Sequence, residues 1–332
     1  MPEIVPPDDG SRARIDVHHH FCAPQWLEWA GAQGLVNPKA LPPWARWDAG
    51  SALSLMDRAG VATAVLKPML PARYETSAQL REATTITLRA ATDVVSAHPG
   101  RFAFHTPLFL DDLDVSRWAL RHGLDDLGAV GVNVTANYGG VYLGDAAYDP
   151  VFAELDERAA VVDTHPHNLP GGPPGAVHVP GIPNFLCDFL LDTTRAAANM
   201  IQKRTLDRFP NLSVILPHAG GFLPHIATRV QAFAGAFTPP VEASMVREYL
   251  HRFYYDTAGP MSPAGTLLAT VAPDRILFGT DWPACPADTV TDIALPALTA
   301  DPALTPSHHL AINRTNALRL MPRLAEPSSV AV

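Results

Sequence analysis

The feature that most restricts the fold is an alternation of short apolar segments with longer amphipathic ones, repeated eight times along 332 residues. Short apolar runs are typical of buried strands, and apolar residues at three- and four-residue spacing are typical of helices. Strands are predicted to begin at Arg14-Ile15 and to follow at 61–66, 102–105, 129–134, 160–164, 212–216, 253–256 and 275–279. The predicted helices are 51–59, 77–97, 115–122, 150–158, 193–209, 241–251, 289–300 and 306–320.

Eight strand-then-helix units predict an α/β fold, a single (β/α)8 TIM barrel, which a chain of this length can form as one domain. We place the barrel at 14–321, a flexible N-terminal segment at 1–13 and a loose C-terminal tail at 322–332. Two segments, 22–48 and 168–183, are predicted loop insertions at the C-terminal face. The first carries four tryptophans, including Trp47, that either line a pocket or form a packed lid. The second is Gly- and Pro-rich and too long for a plain connection, which favours a functional flap.

Composition excludes several classes of protein. A net charge of −9 without any basic run argues against nucleic acid or an anionic membrane as a partner. The first eleven residues lack the basic start and apolar stretch of a signal peptide, and no later stretch is long enough to span a membrane. Three widely spaced cysteines are typical of free thiols in a reducing compartment. We therefore expect a cytoplasmic protein.

A histidine triplet, His18-His19-His20, follows the first predicted strand residues. Side chains alternate along a strand, so His18 and His20 are predicted to share one face, about 7 Å apart, while His19 points away. Two imidazoles on one face can bind a metal ion. The triplet alone is equally compatible with a surface cluster or with buried, hydrogen-bonded histidines.

Other ionisable residues lie where later predicted strands end. His165 follows the fifth strand, His218 the sixth and Asp281 the eighth. The carboxyl ends of all barrel strands meet at one mouth, where active sites form. Together with His18 and His20, these residues predict a metal site at that mouth.

The motifs around these residues resemble the amidohydrolase superfamily, and within it the branch of metal-dependent decarboxylases that includes aminocarboxymuconate semialdehyde decarboxylase. The resemblance spans about 15–320 and rests on four motifs: Ile15-Asp16-Val17-His18-His19-His20, Thr164-His165-Pro166, Pro217-His218-Ala219-Gly220-Gly221 and Gly279-Thr280-Asp281-Trp282-Pro283. The layout is also similar to the 6-methylsalicylate decarboxylase group, through Pro180-Gly181-Ile182-Pro183 and Asp192-Thr193-Thr194-Arg195.

The resemblance implies one divalent metal ion, for which zinc is favoured and manganese is the alternative. It implies the ligands His18, His20, His165 and Asp281. It also implies a non-ligand histidine, His218, that acts as general acid or base or polarises bound water; we regard Asp281 as a second candidate acid.

Further predictions concern the substrate and the residues that contact the metal ligands. Arg229 is similar to an arginine that grips a substrate carboxylate from a neighbouring subunit, which implies a homodimer; an ordinary surface salt bridge is the alternative. The stretch 51–54 lacks the branch's second carboxylate-binding arginine, which favours a monocarboxylic, aromatic acid. Substrate contacts are predicted for His167, Trp47 and Trp282, although His167 could instead hold the flap. Asp16 is predicted to orient a ligand histidine. Asp256 is predicted to be a plain strand-end residue, with a role as a histidine's partner as the alternative.

The leading functional hypothesis is non-oxidative decarboxylation of a small hydroxylated aromatic or enol-like carboxylic acid. The same site could instead hydrolyse an amide, ester, lactone or C–C bond. By analogy alone, a ring-closing condensation of the benzoxazole type is a third hypothesis. A binding module without activity is disfavoured, because no ligand position is missing.

Overall fold

Eight parallel strands form one sheet in the computed structural model, which describes residues 10–170, 177–261 and 264–325. We number them β1 to β8: Arg14–Phe21, Val61–Pro68, Phe102–Pro107, Gly131–Thr135, Val161–His165, Ser213–Leu216, Tyr254–Asp256 and Ile276–Leu277. Each strand pairs with the next in chain order, as a right-handed strand–helix–strand series requires. All eight strands predicted from the sequence are therefore present, and the predicted (β/α)8 barrel is confirmed.

The sheet closes between its first and last strands. Val17 N donates to Phe278 O at 2.9 Å, and Asp281 N donates to His18 O at 2.9 Å. His20 N then donates to the carbonyl of Trp282 at 2.7 Å. These bonds draw the segment after β8 along β1, so that the histidine triplet and Asp281 share one rim of the barrel.

Helices cover the outside of the barrel, and several continue through π-helical turns. Their bounds are Pro24–Ala32, Ala49–Ala59, Ser77–Ala97, Leu113–Arg121 with the π turn His122–Asp126, Asp149–Glu157, Asn184–Gln202, Thr205–Arg208, Leu223–Ala232, Ala243–Arg252, Ala264–Leu268, Ala287–Thr299 with the π turn Val290–Ala294, and Pro306–Leu320 with the π turn Ala311–Thr315. A two-stranded hairpin, Asn137–Tyr138 with Val141–Tyr142, follows β4.

Three parts of the helix prediction were wrong. The segment predicted as loop after β1 contains the helix Pro24–Ala32, and the unpredicted helix Leu223–Ala232 follows β6. Both have proline in their first turn, where its fixed φ and missing N–H are tolerated. The helix predicted at 193–209 begins at Asn184 and ends at Gln202. It starts directly after Pro183, the residue at which the predicted flap ends.

Parts of the predicted terminal segments and of the flap, namely residues 1–9, 171–176 and 326–332, lie outside the described residues. At the C-terminal boundary, Pro322–Ala325 forms a 3-10 turn, and Arg323 donates to the carbonyls of Leu124 and Ala129. Within the part of the chain that the structure describes, no helix is both long and apolar enough to cross a membrane.

The lower part of the barrel interior is apolar. One cluster gathers a residue from each of several strands together with the C-terminal helix: Ile15, Val17, Val65, Val161, Ile215, Leu277, Ala317 and Met321. A register shift in β1 between Asp16 and His19 lies directly above this layer. Val17 therefore packs in the barrel interior, and the following ligand-bearing residues stand on top of it, at the mouth.

Candidate metal centre

Four side chains converge at the mouth of the barrel. The donor atoms of His18, His20, His165 and Asp281 all lie within 4.8 Å of one another. His18 Nε2 and His20 Nε2 are 3.3 Å apart, and Asp281 Oδ1 lies 3.4 Å from the first and 2.9 Å from the second. The structure thus brings together all four residues predicted as ligands. Three imidazole nitrogens and one carboxylate oxygen are a donor set that suits zinc and other divalent ions.

The far nitrogens of two ligand histidines have partners of their own. His18 Nδ1 lies 2.7 Å from Asp256 Oδ2, and His165 Nδ1 lies 2.8 Å from the carbonyl of Pro166. Because both partners are acceptors, each Nδ1 carries the proton and each Nε2 lone pair is left to face the centre. Asp256 is therefore a histidine's partner, and our preferred prediction of a plain strand-end residue was wrong.

Burial keeps the ligand imidazoles neutral. Desolvation, followed by the positive charge of Lys67, holds the pKa of His18 well below its ordinary value. Desolvation and then the neighbouring His20 do the same for the pKa of His165. Neutral imidazole is the form that binds a metal. The donor set, its inward-facing lone pairs and its protonation state all fit a divalent ion.

Asp281 is placed by a turn held to β1. Its backbone has φ of 64°, in the left-handed region that a non-glycine residue adopts only when its surroundings compel it. The preceding Thr280 donates its N–H to Asp16 Oδ1 at 3.0 Å and its hydroxyl to Asp16 Oδ2 at 2.6 Å. Asp16 also accepts from His18 N and contacts His19 Nδ1 at 3.0 Å. Asp16 therefore fixes the backbone that carries two ligands, and it contacts the predicted ligand histidine His18 through the backbone N–H rather than through the ring.

His218 lies beside the four ligands without being one of them. Its N–H donates to Asp256 Oδ1 at 2.8 Å, and its Nε2 lies 3.8 Å from Asp281 Oδ2. Burial alone would lower the pKa of His218, but hydrogen bonding and charge from Asp281 outweigh it and raise the pKa. Its backbone φ of 53° lies in the left-handed region, which a non-glycine residue seldom adopts. The geometry suits a group that holds or moves a proton next to the metal centre.

The two tryptophans predicted to contact substrate are both buried. Trp47 is 4% exposed and packs its ring edge-on against Phe21, with Phe102 as its second aromatic contact. Trp282 is 7% exposed and its ring centroid lies 4.9 Å from that of His19, the histidine that faces away from the centre. The structure places both indoles in the hydrophobic packing around β1, and neither joins the ligand cluster. Both indoles are buried there because they cover outward-facing side chains of β1, namely Phe21 and His19.

Arg229 and His167 are both exposed. Arg229 lies on the helix Leu223–Ala232, and its guanidinium stacks over the ring of Phe233 at 5.3 Å. Phe233 is itself 61% exposed. His167 is held to the helix after the flap, because its N–H donates to Asp192 Oδ2 at 2.8 Å. The structure therefore leaves Arg229 pointing outward and ties His167 to the base of the flap.

Three buried ionisable residues close to the ligands were not predicted from the sequence as part of the site. Lys67, His105 and Asp163 are fully buried in the barrel interior. The signal was available, since Lys67 is one of only three lysines and stands at the end of the apolar run Val61–Leu66. Burial alone would raise the pKa of Asp163, but Lys67 and His105 outweigh it and lower that pKa.

Comparison with known proteins agrees with this geometry. The chain is 30% identical over 330 residues to the 6-methylsalicylic acid decarboxylase acuB of Aspergillus aculeatus, covering 94% of this chain and 96% of that one. A solved structure described as amidohydrolase II superposes with a TM-score of 0.82 at 28% identity, over 95% of this chain and all of the other.

A dihydroxybenzoic acid decarboxylase from Polaromonas sp. JS666, solved with manganese and the inhibitor 2-nitroresorcinol, shares the fold. Its TM-score is 0.77 at 22% identity, with 94% of this chain and 97% of that chain covered. The family model described as Amidohydrolase matches residues 15–323, which is nearly the whole of the barrel. The resemblance read from the motifs is therefore confirmed, and the chain belongs to the amidohydrolase family.

Proposed function

We propose that this protein is a metal-dependent, non-oxidative decarboxylase of a hydroxylated aromatic carboxylic acid. The observation that carries the proposal is the convergence of His18, His20, His165 and Asp281 with a fifth ionisable group, His218, beside them. The 6-methylsalicylic acid decarboxylase to which the chain is 30% identical supports this choice of reaction.

A divalent ion held by the four ligands would bind the carboxylate and adjacent hydroxyl of the substrate, fixing its orientation and drawing electron density from it. The remaining chemistry falls to the chain's own residues. Despite burial, the pKa of His218 is raised by hydrogen bonding and charge from Asp281, whose own pKa is held well below its ordinary value, so the proton transferred is the one on His218, with Asp281 as the alternative acid. That proton is delivered to the ring carbon that bears the carboxylate. The C–C bond then breaks, its electrons restore the aromatic ring, and CO2 leaves.

For the ion itself we propose zinc, which three imidazoles and one carboxylate suit, with manganese as the alternative. Manganese is the ion named for the Polaromonas decarboxylase structure. Elemental analysis of protein purified without added metal salts decides between the two. The outcome leaves the proposed reaction unchanged, because either ion can bind a carboxylate and a hydroxyl oxygen.

We further propose a homodimer in which Arg229 reaches the neighbouring subunit's substrate. Arg229 is exposed on the helix Leu223–Ala232, which supports this role, since a residue that contacts a neighbouring subunit's substrate must point away from its own barrel.

No arginine occurs at 51–54, where the aminocarboxymuconate semialdehyde decarboxylase branch has an arginine that binds a second substrate carboxylate. We therefore propose a substrate with a single carboxylate. The cytoplasm is the proposed location, since Cys22, Cys187 and Cys285 are all free thiols.

A panel of hydroxybenzoates tests the reaction. Metal-loaded protein is expected to release CO2 from at least one 2-hydroxybenzoate, and a His20→Ala variant, which lacks a ligand, is expected to release none. A parallel panel of esters, amides and lactones serves as the comparison. Turnover of that second panel, with no CO2 from the first, would replace the decarboxylase assignment with a hydrolase.

A further inference from the structure

The side chains of the barrel interior change from apolar to ionisable just below the metal centre. On three strands an apolar or small residue low in the barrel is followed two positions later by an ionisable one: Val65 by Lys67, Ala103 by His105, and Val161 by Asp163. Residues two apart on a strand face the same side, so these three ionisable side chains form a layer of their own. Branched apolar residues normally fill such layers in (β/α)8 barrels.

Lys67 is the centre of this layer. Its side chain is fully buried, and its Nζ donates to Asp163 Oδ1 at 2.9 Å and to the carbonyl of Thr164 at 3.0 Å. The same nitrogen lies 3.5 Å from His18 Nδ1. Lys67 thus connects β2 to β5 across the barrel, at the two residues that immediately precede the ligand His165, and it contacts the ring of a second ligand.

The neighbouring strand reinforces this connection. Lys67 is paired in register with His20 across the β1–β2 ladder, so its backbone adjoins a third ligand. On the other side, Asp163 Oδ2 lies 3.2 Å from Nδ1 of His105, which is buried on β3. Lys67 therefore joins both strands that supply histidine ligands, β1 through the backbone ladder and β5 through its ammonium group.

Stability alone does not account for the arrangement. Moving two charges out of water costs several kcal/mol per ion, and apolar residues of similar volume often stabilise a core as well or better. A buried ion pair is therefore weak support for the fold. The bonds of Lys67, in contrast, are to Asp163 and Thr164, the two residues that precede the ligand His165.

We propose that Lys67 is a positioning residue of the metal centre, which holds the strand segment before His165 through its bonds to Asp163 and Thr164, so that the His165 donor atom stays converged with those of β1. The inference rests on the metal centre of the proposed function. It assigns Lys67 no contact with substrate and no part in proton transfer.

Metal affinity of the purified protein tests the role without any substrate. The variants are Lys67→Met, and Lys67→Met combined with Asp163→Asn, which removes both charges and leaves no unpaired ion in the core. Lys203→Met, at an exposed lysine, is the matched control. Each protein is stripped of metal and titrated with Zn2+ and with Mn2+ in competition with a chromophoric chelator, and its melting temperature is measured without metal.

Loss of groups that orient metal ligands typically weakens binding by about 10- to 100-fold. We expect a Kd raised by that factor in the folded double variant, whose melting temperature without metal stays near that of the wild type, and an unchanged Kd in Lys203→Met. If Lys67→Met alone does not fold, because Asp163 is left unpaired, the double variant decides. A folded double variant with the wild-type Kd overturns the proposal. A wild-type protein that binds neither ion refutes the metal centre itself, which is a different outcome.

Discussion

Replacing Asp256 with asparagine removes one buried carboxylate acceptor beside the metal centre while keeping the size of the side chain. Asp256 is fully buried, and its Oδ1 accepts the N–H groups of His218 at 2.8 Å and Ala258 at 3.0 Å. Its Oδ2 accepts the Nδ1 proton of His18 at 2.7 Å. An asparagine has a single acceptor oxygen, which must remain with the two backbone donors because they cannot change roles. Its NH2 group then faces His18.

The ring of His18 can respond in two ways, and both weaken the metal site. If the Nδ1 proton moves to Nε2, the lone pair that should bind the metal is lost. If it stays, two donors face each other, and leaving a buried donor unsatisfied costs about 1–3 kcal/mol. At about 1.4 kcal/mol for each factor of ten, metal affinity should fall by about 5- to 150-fold in Asp256→Asn.

Competition with a chromophoric chelator measures the change in Kd directly. The matched control is Asp301→Asn, since Asp301 is also buried and accepts the backbone N–H groups of Ala264 and Ala303 without touching any of the four ligands. We expect the control to lose stability while keeping its metal affinity. An Asp256→Asn protein that binds metal within twofold of the wild type would refute the argument from the His18 tautomer.

Three further predictions follow from the same geometry. Elemental analysis should find metal absent from His20→Ala but present in His19→Ala, because only the first side chain faces the centre; full occupancy in the first variant would sink the ligand assignment. His218→Asn should keep its metal and its KM while kcat falls by about 10²- to 10⁴-fold, as loss of a general acid or base typically causes; an unchanged kcat with a lower melting temperature would make His218 structural. Arg229→Ala should raise KM far more than it changes metal content, and light scattering should find a dimer; a fully active monomer contradicts that assignment.

Local periodicity made most of the fold predictable. A short apolar run predicts each barrel strand, and the amphipathic period with Pro99-Gly100 after it predicts the helix Ser77–Ala97 with its observed bounds. In the structure the Thr76 hydroxyl accepts from Gln79 N at the start of this helix. The errors fell where proline and aromatic residues obscured the pattern. The segment 22–48 is predicted as loop because it contains several prolines, yet Pro24 stands in the first turn of the helix Pro24–Ala32, where proline is well tolerated.

The ligands could be predicted because each requirement on them is local. A spacing of two residues along a strand places His18 and His20 on one face. A position at the carboxyl end of a strand places His165 and Asp281 at the barrel mouth. The motifs then matched a family whose model covers residues 15–323. Residue type, strand period and chain order predicted a metal site at the mouth, and the family resemblance implied which four of the residues there are its ligands.

The partners of those ligands were decided only by the tertiary structure. Asp256 meets His18 across 238 residues of chain, and Lys67 meets Asp163 across 96, so no sequence period relates them. The same holds for Trp282, which shares a motif with Asp281 yet packs against the outward-facing His19. Sequence determines which residues stand at each strand end. Which of them touch depends on the closure of the barrel, because only that closure sets the distances between strands.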